Sequence, residues 1–155
     1  MAKTALLTGS NIGEREKFLH FAETEIGTLG VILRKSHIYE SSAWGKTDQR
    51  AFLNQCIILE TDLGPMDLLR QLKEIEKKAG RIKTEKWGER TLDIDILFYD
   101  DMIVNTLELT IPHPYMAERR FTLVPLAEIA GDWVHPVSGK TVAEMLEVCR
   151  DGGGN

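Results

Sequence analysis

Cysteine is scarce in this chain, and its placement indicates neither a disulfide nor a zinc site. Cys56 and Cys149 lie far apart, without a CxxC pair or a neighbouring histidine, so we expect two reduced thiols. Long apolar runs are also missing, since no stretch approaches the roughly 20 residues that span a bilayer. The N-terminus shows no secretory cleavage pattern. These absences predict a cytoplasmic protein without a membrane segment.

The basic charge balance that is typical of general nucleic-acid binders is absent as well. The formal net charge is -5, from 19 Lys and Arg against 24 Asp and Glu, whereas such binders are usually basic over the whole domain. No internal repeat or linker divides the 155 residues, which suffice for one core. We therefore expect a single domain over residues 1–150 and a disordered, glycine-rich tail at 151–155.

The well-known nucleotide-binding and hydrolase motifs are absent or incomplete. Gly139, Lys140 and Thr141 resemble the end of a Walker A motif, but Val134 stands where its first glycine belongs. The patterns GxGxxG, HExxH and GxSxG do not occur. A nucleotide site in this chain must therefore be built by other means.

The hydrophobic pattern predicts two long helices among four main strands. Helical spacing occupies residues 13–29 and 65–80, and strand-like runs occupy residues 4–8, 31–39, 52–63 and 91–99. This order is that of the split βαβ, ferredoxin-like arrangement, an α+β fold whose antiparallel sheet carries both long helices on one face. In the second helix, the buried stripe is predicted to be Leu68, Leu72, Ile75 and Ala79.

The other face of the sheet must be covered by loops or stay open as a binding surface. The polar segments 40–50 and 81–90 are the candidates for long substrate-binding loops there. Further short helices are expected near residues 123–129 and 142–149.

The last predicted strand carries the most informative local feature, a pair of aspartates at alternate positions. Because side chains on a strand alternate between faces, Asp93 and Asp95 point the same way, while Leu92, Ile94 and Ile96 point to the helices. Two parallel carboxylates repel each other unless a cation lies between them, and aspartate is a poor strand former. Magnesium favours one or two carboxylates together with waters and phosphates. On spacing alone, a metal site and an ordinary solvated strand face remain comparably good interpretations.

A locally basic segment leads directly into this strand. Residues 73–90 hold seven positive and four negative charges, and cations there could neutralise a metal-bound polyphosphate during phosphoryl transfer. A solvated helix end is the alternative interpretation. Trp87 lies within the segment, either to close over a flat ligand or to anchor the loop to the core.

At this point the motifs resemble those of a known family. Residues 86–96, KWGERTLDIDI, are closely similar to the signature of the 6-hydroxymethyl-7,8-dihydropterin pyrophosphokinases. Matching segments are GSN at 9–11, FLN at 52–54, PHP at 112–114 and RRF at 119–121. The resemblance covers about residues 4–145.

The resemblance implies an ATP-dependent diphosphokinase of folate biosynthesis, which transfers diphosphate from ATP to the hydroxymethyl group of the reduced pterin and releases AMP. It implies two Mg²⁺ ions, ATP as co-substrate, and a monomer that binds small molecules rather than nucleic acid or membrane. The implied catalytic residues are Arg81, Arg90, Asp93 and Asp95, of which the two aspartates bind the metal. The implied ATP-binding residues are Lys73, Glu76, Lys83, Arg90, Ile96, Thr110, His113 and Arg119. The implied pterin-binding residues are Ser41, Ala43, Phe52, Asn54, Trp87 and Phe121.

The chain departs from the family's pattern at several positions around the implied nucleotide site. Lys83 and Lys86 stand where arginine is common, which at position 83 removes a bidentate phosphate contact. Glu108 stands where some members have a basic residue, and Pro114 where a tyrosine often follows the histidine. Residues 42–44, SAW, replace a frequent pair of prolines.

Two other classes of function compete with the enzyme. An inactive ferredoxin-like module could keep a pterin or nucleotide pocket, but both aspartates and Arg90 are present. An RNA-binding domain of this architecture needs exposed aromatic residues on its central strands, whereas residues 91–99 carry aspartates there.

Overall fold

The computed structural model describes residues 1–41, 51–80 and 92–150. The strands are β1 (Ala2–Ser10), β2 (Val31–Lys35), β3 (Tyr39–Ser41), β4 (Phe52–Thr61), β5 (Asp93–Tyr99), β6 (Val104–Asn105) and β7 (Thr110–Ile111). The α-helices are α1 (Arg15–Ile26), α2 (Pro65–Gly80), α3 (Arg120–Ala130) and α4 (Val142–Val148), and a 3₁₀ turn covers Met116–Glu118.

The main sheet is antiparallel and has the strand order β2-β4-β1-β5, with β3 also paired to β4. The predicted second strand, residues 31–39, is divided between β2 and β3, and Ser36 bridges the division because its Oγ accepts the backbone N–H of Cys56 at 2.9 Å. The α+β, ferredoxin-like prediction is confirmed.

Helices α1 and α2 pack on one face of the sheet. The predicted stripe of α2 is fully confirmed, since Leu68, Leu72, Ile75 and Ala79 are all buried. Ile94 and Ile96 of β5, and Leu92 just before it, pack into the same core. Burying such aliphatic side chains contributes roughly 1.5–3 kcal/mol each.

The other face of the sheet is covered in part by α3 and α4, whereas the sequence analysis expected loops or an open surface there. Leu123 and Leu126 of α3 and Met145 of α4 pack against Leu7 and Ile58 of the sheet. Both helices were predicted from the sequence, but their place in the fold was not. What α3 and α4 leave uncovered is the end of the sheet where Gly9, Asp93 and Asp95 lie.

A bulge in β5 changes the side on which its last residues point. The pairing with β1 shifts register between Ala5 and Leu6, so that Leu97 is the extra residue. As a result Phe98 does not follow Ile94 and Ile96 but packs in the second core, where its ring stacks on Trp133 at 5.0 Å. The simple alternation expected for residues 91–99 therefore holds only up to Leu97.

None of the helices in the described part of the chain combines the length and the apolar character needed to cross a membrane. Cys56 is buried and Cys149 half-buried, and both thiols are free.

Candidate active site

Two neighbouring cavities open at the uncovered end of the sheet. The first, here called the aromatic pocket, has a volume of about 150 Å³. It is lined by Leu7, Gly9, Ser41, Phe52, Asn54, Asp93, Asp95, Arg119 and Phe121. The second, here called the polar cleft, has a volume of about 530 Å³ and is the more open of the two.

The polar cleft runs along β5, α2 and the segment that follows β6. Its lining includes Lys73, Glu76, Asp93, Asp95, Ile96, Glu108, Thr110, His113, Tyr115 and Arg119. Asp93, Asp95 and Arg119 line both cavities. These three residues therefore form the junction where a ligand of one cavity would meet a ligand of the other.

The aspartate pair has the orientation that strand alternation predicts. Asp93 pairs with Gly9 and Asp95 with Leu7, both on the cavity side of the sheet, while the intervening Ile94 is buried against α1 and α2. Both aspartates are half-buried, so their carboxylates lie at the cavity surface rather than in bulk solvent.

Asn54 presents an unsatisfied acceptor to the aromatic pocket. Its Nδ2 donates to the backbone oxygen of Thr8 at 3.2 Å, which fixes the amide orientation. Among the described residues, neither Oδ1 of Asn54 nor the buried Oγ of Ser41 has a hydrogen-bond partner. An unpaired buried polar atom costs about 1–3 kcal/mol, so both atoms suit a ligand that supplies the missing hydrogen bonds.

Arg119 links the aromatic pocket to the polar cleft through its planar guanidinium. Its Cζ lies 5.1 Å from the ring centre of Tyr115 and 5.6 Å from that of Phe121, within the range of a cation–π interaction. The two rings hold the cation at the junction beside the aspartates. Tyr115 was not predicted as a site residue, and its only sequence signal is its place between His113 and Arg119.

Glu76 supports the aspartate strand from α2. Its Oε2 accepts the backbone N–H of Ile94, which lies between the two aspartates, at 2.7 Å. Burial raises the pKa of Glu76 to about 7, and the nearby Asp93 carboxylate adds to the shift, while the hydrogen bond from Ile94 opposes it. The carboxyl group that faces the polar cleft is thus far less acidic than an ordinary glutamate.

His113 is a neutral imidazole at physiological pH. Burial lowers its pKa to about 4, and the positive charge of Arg119 acts in the same direction. Its Nδ1 accepts the backbone N–H of Tyr115 at 3.3 Å, so the proton resides on Nε2. Nε2 lies 3.9 Å from Oδ2 of Asp95, too far for a hydrogen bond but beside the junction.

Every predicted site residue that the structure describes lines one of the two cavities. The predicted pterin residues Ser41, Phe52, Asn54 and Phe121 line the aromatic pocket. The predicted ATP residues Lys73, Glu76, Ile96, Thr110, His113 and Arg119 line the polar cleft. The predicted site residues Ala43, Arg81, Lys83, Trp87 and Arg90 lie outside the described residues.

The donor set at the junction fits magnesium. Two carboxylates project from alternate positions of one strand, and clusters of three or more His, Cys, Asp or Glu side chains able to hold an ion do not occur in residues 1–41, 51–80 and 92–150. A zinc-type cage is therefore not available there, whereas Mg²⁺ is commonly held by one or two carboxylates plus waters and substrate phosphates.

Comparison with known proteins agrees with this geometry. The sequence pattern of the 7,8-dihydro-6-hydroxymethylpterin-pyrophosphokinase family matches residues 5–131. The 2-amino-4-hydroxy-6-hydroxymethyldihydropteridine pyrophosphokinase of Synechocystis is 48% identical over 141 residues, which are 90% of this chain and 72% of the relative. The Aquifex aeolicus protein of the same name is 40% identical over 145 residues, 94% and 91% of the two chains.

A solved structure supports the fold. The HPPK-DHPS of Plasmodium falciparum, crystallised with pteroate, superposes with a TM-score of 0.74 at 17% identity over 94% of this chain, which spans 42% of that chain. At this identity the likeness concerns the fold alone. Because the family pattern extends over most of the sequence, the chain belongs to the 7,8-dihydro-6-hydroxymethylpterin-pyrophosphokinase family.

Proposed function

We propose that the two cavities hold the two substrates of one reaction, with hydroxymethyldihydropterin in the aromatic pocket and ATP in the polar cleft. As a family member, the chain is an ATP-dependent pyrophosphokinase that transfers diphosphate to hydroxymethyldihydropterin in folate synthesis. The observation that carries the placement is the junction, because Asp93, Asp95 and Arg119 line both cavities.

The aromatic pocket suits a flat, hydrogen-bonding ring. Phe52 and Phe121 supply apolar surfaces for the ring faces. The unpartnered Oδ1 of Asn54 and Oγ of Ser41 match the ring-edge N–H groups and polar atoms of a pterin. A ligand of this kind would satisfy the buried polar atoms that the protein leaves unpaired.

The polar cleft suits a nucleotide triphosphate. Lys73 and Arg119 supply positive charge, and the neutral His113 supplies an N–H donor near Asp95. Ile96 and Thr110 line the same cleft and are proposed to contact the nucleotide. In this arrangement Glu76 acts through Ile94 rather than on the phosphates, because its carboxylate accepts the N–H of that residue.

Asp93 and Asp95 are proposed to hold two Mg²⁺ ions. When bound, these ions supply positive charge that offsets the negative charge of the phosphates during transfer. The strand geometry fixes both carboxylates toward the junction, and the hydrogen bond from Ile94 to Glu76 stabilises the strand between them.

The reaction then requires mainly positioning. The hydroxymethyl oxygen attacks the β-phosphorus of ATP, the bond from that phosphorus to the oxygen of the α-phosphate breaks, and AMP leaves with that oxygen while the hydroxyl proton is released. Holding the two reactants in adjacent cavities converts a bimolecular encounter into an effectively unimolecular step. The roles proposed for Arg81, Lys83, Trp87, Arg90 and Ala43 rest on the sequence resemblance, and so does a monomeric state. A single domain and a cytoplasmic location are proposed from the length and composition of the chain.

The test mixes the protein with ATP, MgCl₂ and 6-hydroxymethyl-7,8-dihydropterin and follows AMP by chromatography. AMP and the pterin diphosphate should form in equal amounts, and neither should form when EDTA exceeds the magnesium. Binding of both substrates by calorimetry without AMP formation would instead identify an inactive binding module.

A further inference from the structure

A half-buried arginine connects α1 to the wall of the aromatic pocket. Arg15 is the first residue of α1, and its Nη1 donates to Oε2 of Glu40 at 2.9 Å and to the backbone oxygen of Ala51 at 2.8 Å. Its side chain is only 19% exposed, whereas that of Glu40 is 59% exposed. One guanidinium nitrogen thus joins β3 to the residue that precedes β4.

The requirements of the helix do not explain an arginine at this position. The N-terminus of a helix carries partial positive charge, so a cation there is unfavourable. The preceding residue, Glu14, makes no capping hydrogen bond with its side chain. The positive charge at residue 15 is therefore better explained by the two acceptors that it contacts.

Both acceptors adjoin residues that line the aromatic pocket. Glu40 precedes Ser41, Ala51 precedes Phe52, and Ser41 and Phe52 are paired across β3 and β4. Strand β3 has only three residues and pairs only with β4 in the described part of the chain. So short a strand gains little stability from pairing alone, which makes a side-chain anchor valuable there.

We infer that Arg15 is a positioning residue for the pterin, which sets the Ser41 hydroxyl and the Phe52 ring by binding the residues before them. The inference rests on the proposed placement of the pterin in the aromatic pocket. Arg15 lines neither the aromatic pocket nor the polar cleft, so it acts through its neighbours. Its loss should affect pterin binding far more than ATP binding, because Glu40 and Ala51 do not border the polar cleft.

The test compares Arg15→Gln, Arg15→Lys and the control Arg70→Gln. Arg70 forms an exposed ion pair with Asp67 on α2 and lines neither cavity. The dissociation constant of hydroxymethyldihydropterin is measured by fluorescence titration with Mg²⁺ and a non-hydrolysable ATP analogue, and kcat and both KM values come from AMP release. Melting temperatures are recorded for each variant.

Arg15→Gln should weaken pterin binding about tenfold, since it removes hydrogen bonds from a charged donor. The KM for ATP should stay within about twofold, and Arg15→Lys, which keeps one charged donor, should recover part of the loss. Arg70→Gln should match the wild type in each constant.

Equal pterin affinity in the wild type and Arg15→Gln would overturn the inference. An equal loss of affinity for the pterin and for ATP would overturn it as well. If Arg15→Gln fails to fold, Glu40→Ala can be used instead, since it removes one of the two contacts. It should still raise the dissociation constant of the pterin several-fold. A wild-type protein that binds no pterin would instead refute the proposed function.

Discussion

Gly9 and Asn54 lie directly opposite each other on β1 and β4, and a β-carbon on residue 9 would lie 2.6 Å from Nδ2 of Asn54. The absence of a side chain at residue 9 therefore leaves room for the amide that faces the aromatic pocket. Real β-carbons do not approach other atoms so closely, so Gly9→Ala must displace the Asn54 side chain. Its hydrogen bond to Thr8 and the direction of its Oδ1 would both change.

We expect Gly9→Ala to weaken pterin binding about tenfold or more, because an acceptor in the pocket is misdirected. Fluorescence titration with hydroxymethyldihydropterin measures the change. Gly64→Ala is the matched control, since a β-carbon there meets no atom within 4 Å. Unchanged pterin affinity in Gly9→Ala would show that the Asn54 amide does not contact the ring.

The aspartate pair gives the second prediction. Asp95→Asn keeps the size of the side chain but removes its charge at the junction of the two cavities. Turnover should fall by about 10²-fold or more, the scale seen when an electrostatic contact of the transition state is lost. The metal-free melting temperature should be unchanged or higher, because one of two neighbouring like charges disappears.

Two measurements test this prediction, namely AMP release at saturating substrate concentrations and the thermal unfolding curve. Asp101→Asn provides the control, since Asp101 is exposed in the turn after β5 and lines neither cavity. Wild-type turnover in Asp95→Asn would remove the basis for a metal at this strand.

The sequence predicted those features that depend on local periodicity. The stripe of α2 was predicted in full because Leu68, Leu72, Ile75 and Ala79 follow the helical repeat without interruption. The direction of Asp93 and Asp95 was predicted for the equivalent reason, since two residues separate neighbours on one face of a strand.

Features that depend on contacts between distant segments could not be predicted from the sequence. The bulge near Leu97 moves Phe98 to the second core, and such a register shift leaves no mark in a short apolar run. A helix near α3 was predicted, but its packing over the sheet was missed because its partners Leu7 and Ile58 are remote in sequence. The contacts of Arg15 join residues that are remote in sequence, and no local sequence pattern predicts them.

The polar cleft provides the third prediction, at the exposed residue Glu108. This carboxylate lines the cleft together with Lys73 and Arg119 and would repel a bound triphosphate. Glu108→Lys should lower the dissociation constant of ATP roughly two- to fivefold, the range expected for an exposed charge contact. The gain should shrink with added salt, because the Debye length falls to about 10 Å at 0.1 M ionic strength.

Calorimetric titration of MgATP at two salt concentrations measures both effects. Glu147→Lys makes the same charge change at an exposed residue of α4, away from the cleft. Equal gains in ATP affinity in the two variants would show that the effect comes from the overall charge. Weaker ATP binding by Glu108→Lys would indicate that the Glu108 carboxylate favours binding.

The fourth prediction concerns pH and the attachment of α3 to the sheet. Glu128 of α3 accepts hydrogen bonds from the hydroxyl of Tyr39 at 2.7 Å and from the backbone N–H of His37 at 3.0 Å. Burial alone would raise the pKa of Glu128, but the hydrogen bonds from Tyr39 and His37 outweigh it and hold the pKa below 4.5. The ionised carboxylate therefore ties α3, which carries Phe121, to the strand that carries Ser41.

Because the pKa of Glu128 is lower in the folded state, its contribution to stability is complete above the unfolded value of 4.5 and disappears as the pH falls through the folded value. The free energy of unfolding of Glu128→Gln should thus lie below that of the wild type by about 1 kcal/mol or less at pH 5.5, a size limited by solvent screening. The gap should narrow as the pH falls through the lowered pKa of Glu128 in the folded state, because the wild-type carboxyl then becomes protonated as well. Urea unfolding at several pH values measures this difference, with Glu147→Gln on α4 as the control for loss of an exposed charge. A gap that stays constant down to the lowest pH would show that the shape of the side chain, and not its charge, holds α3 to β3.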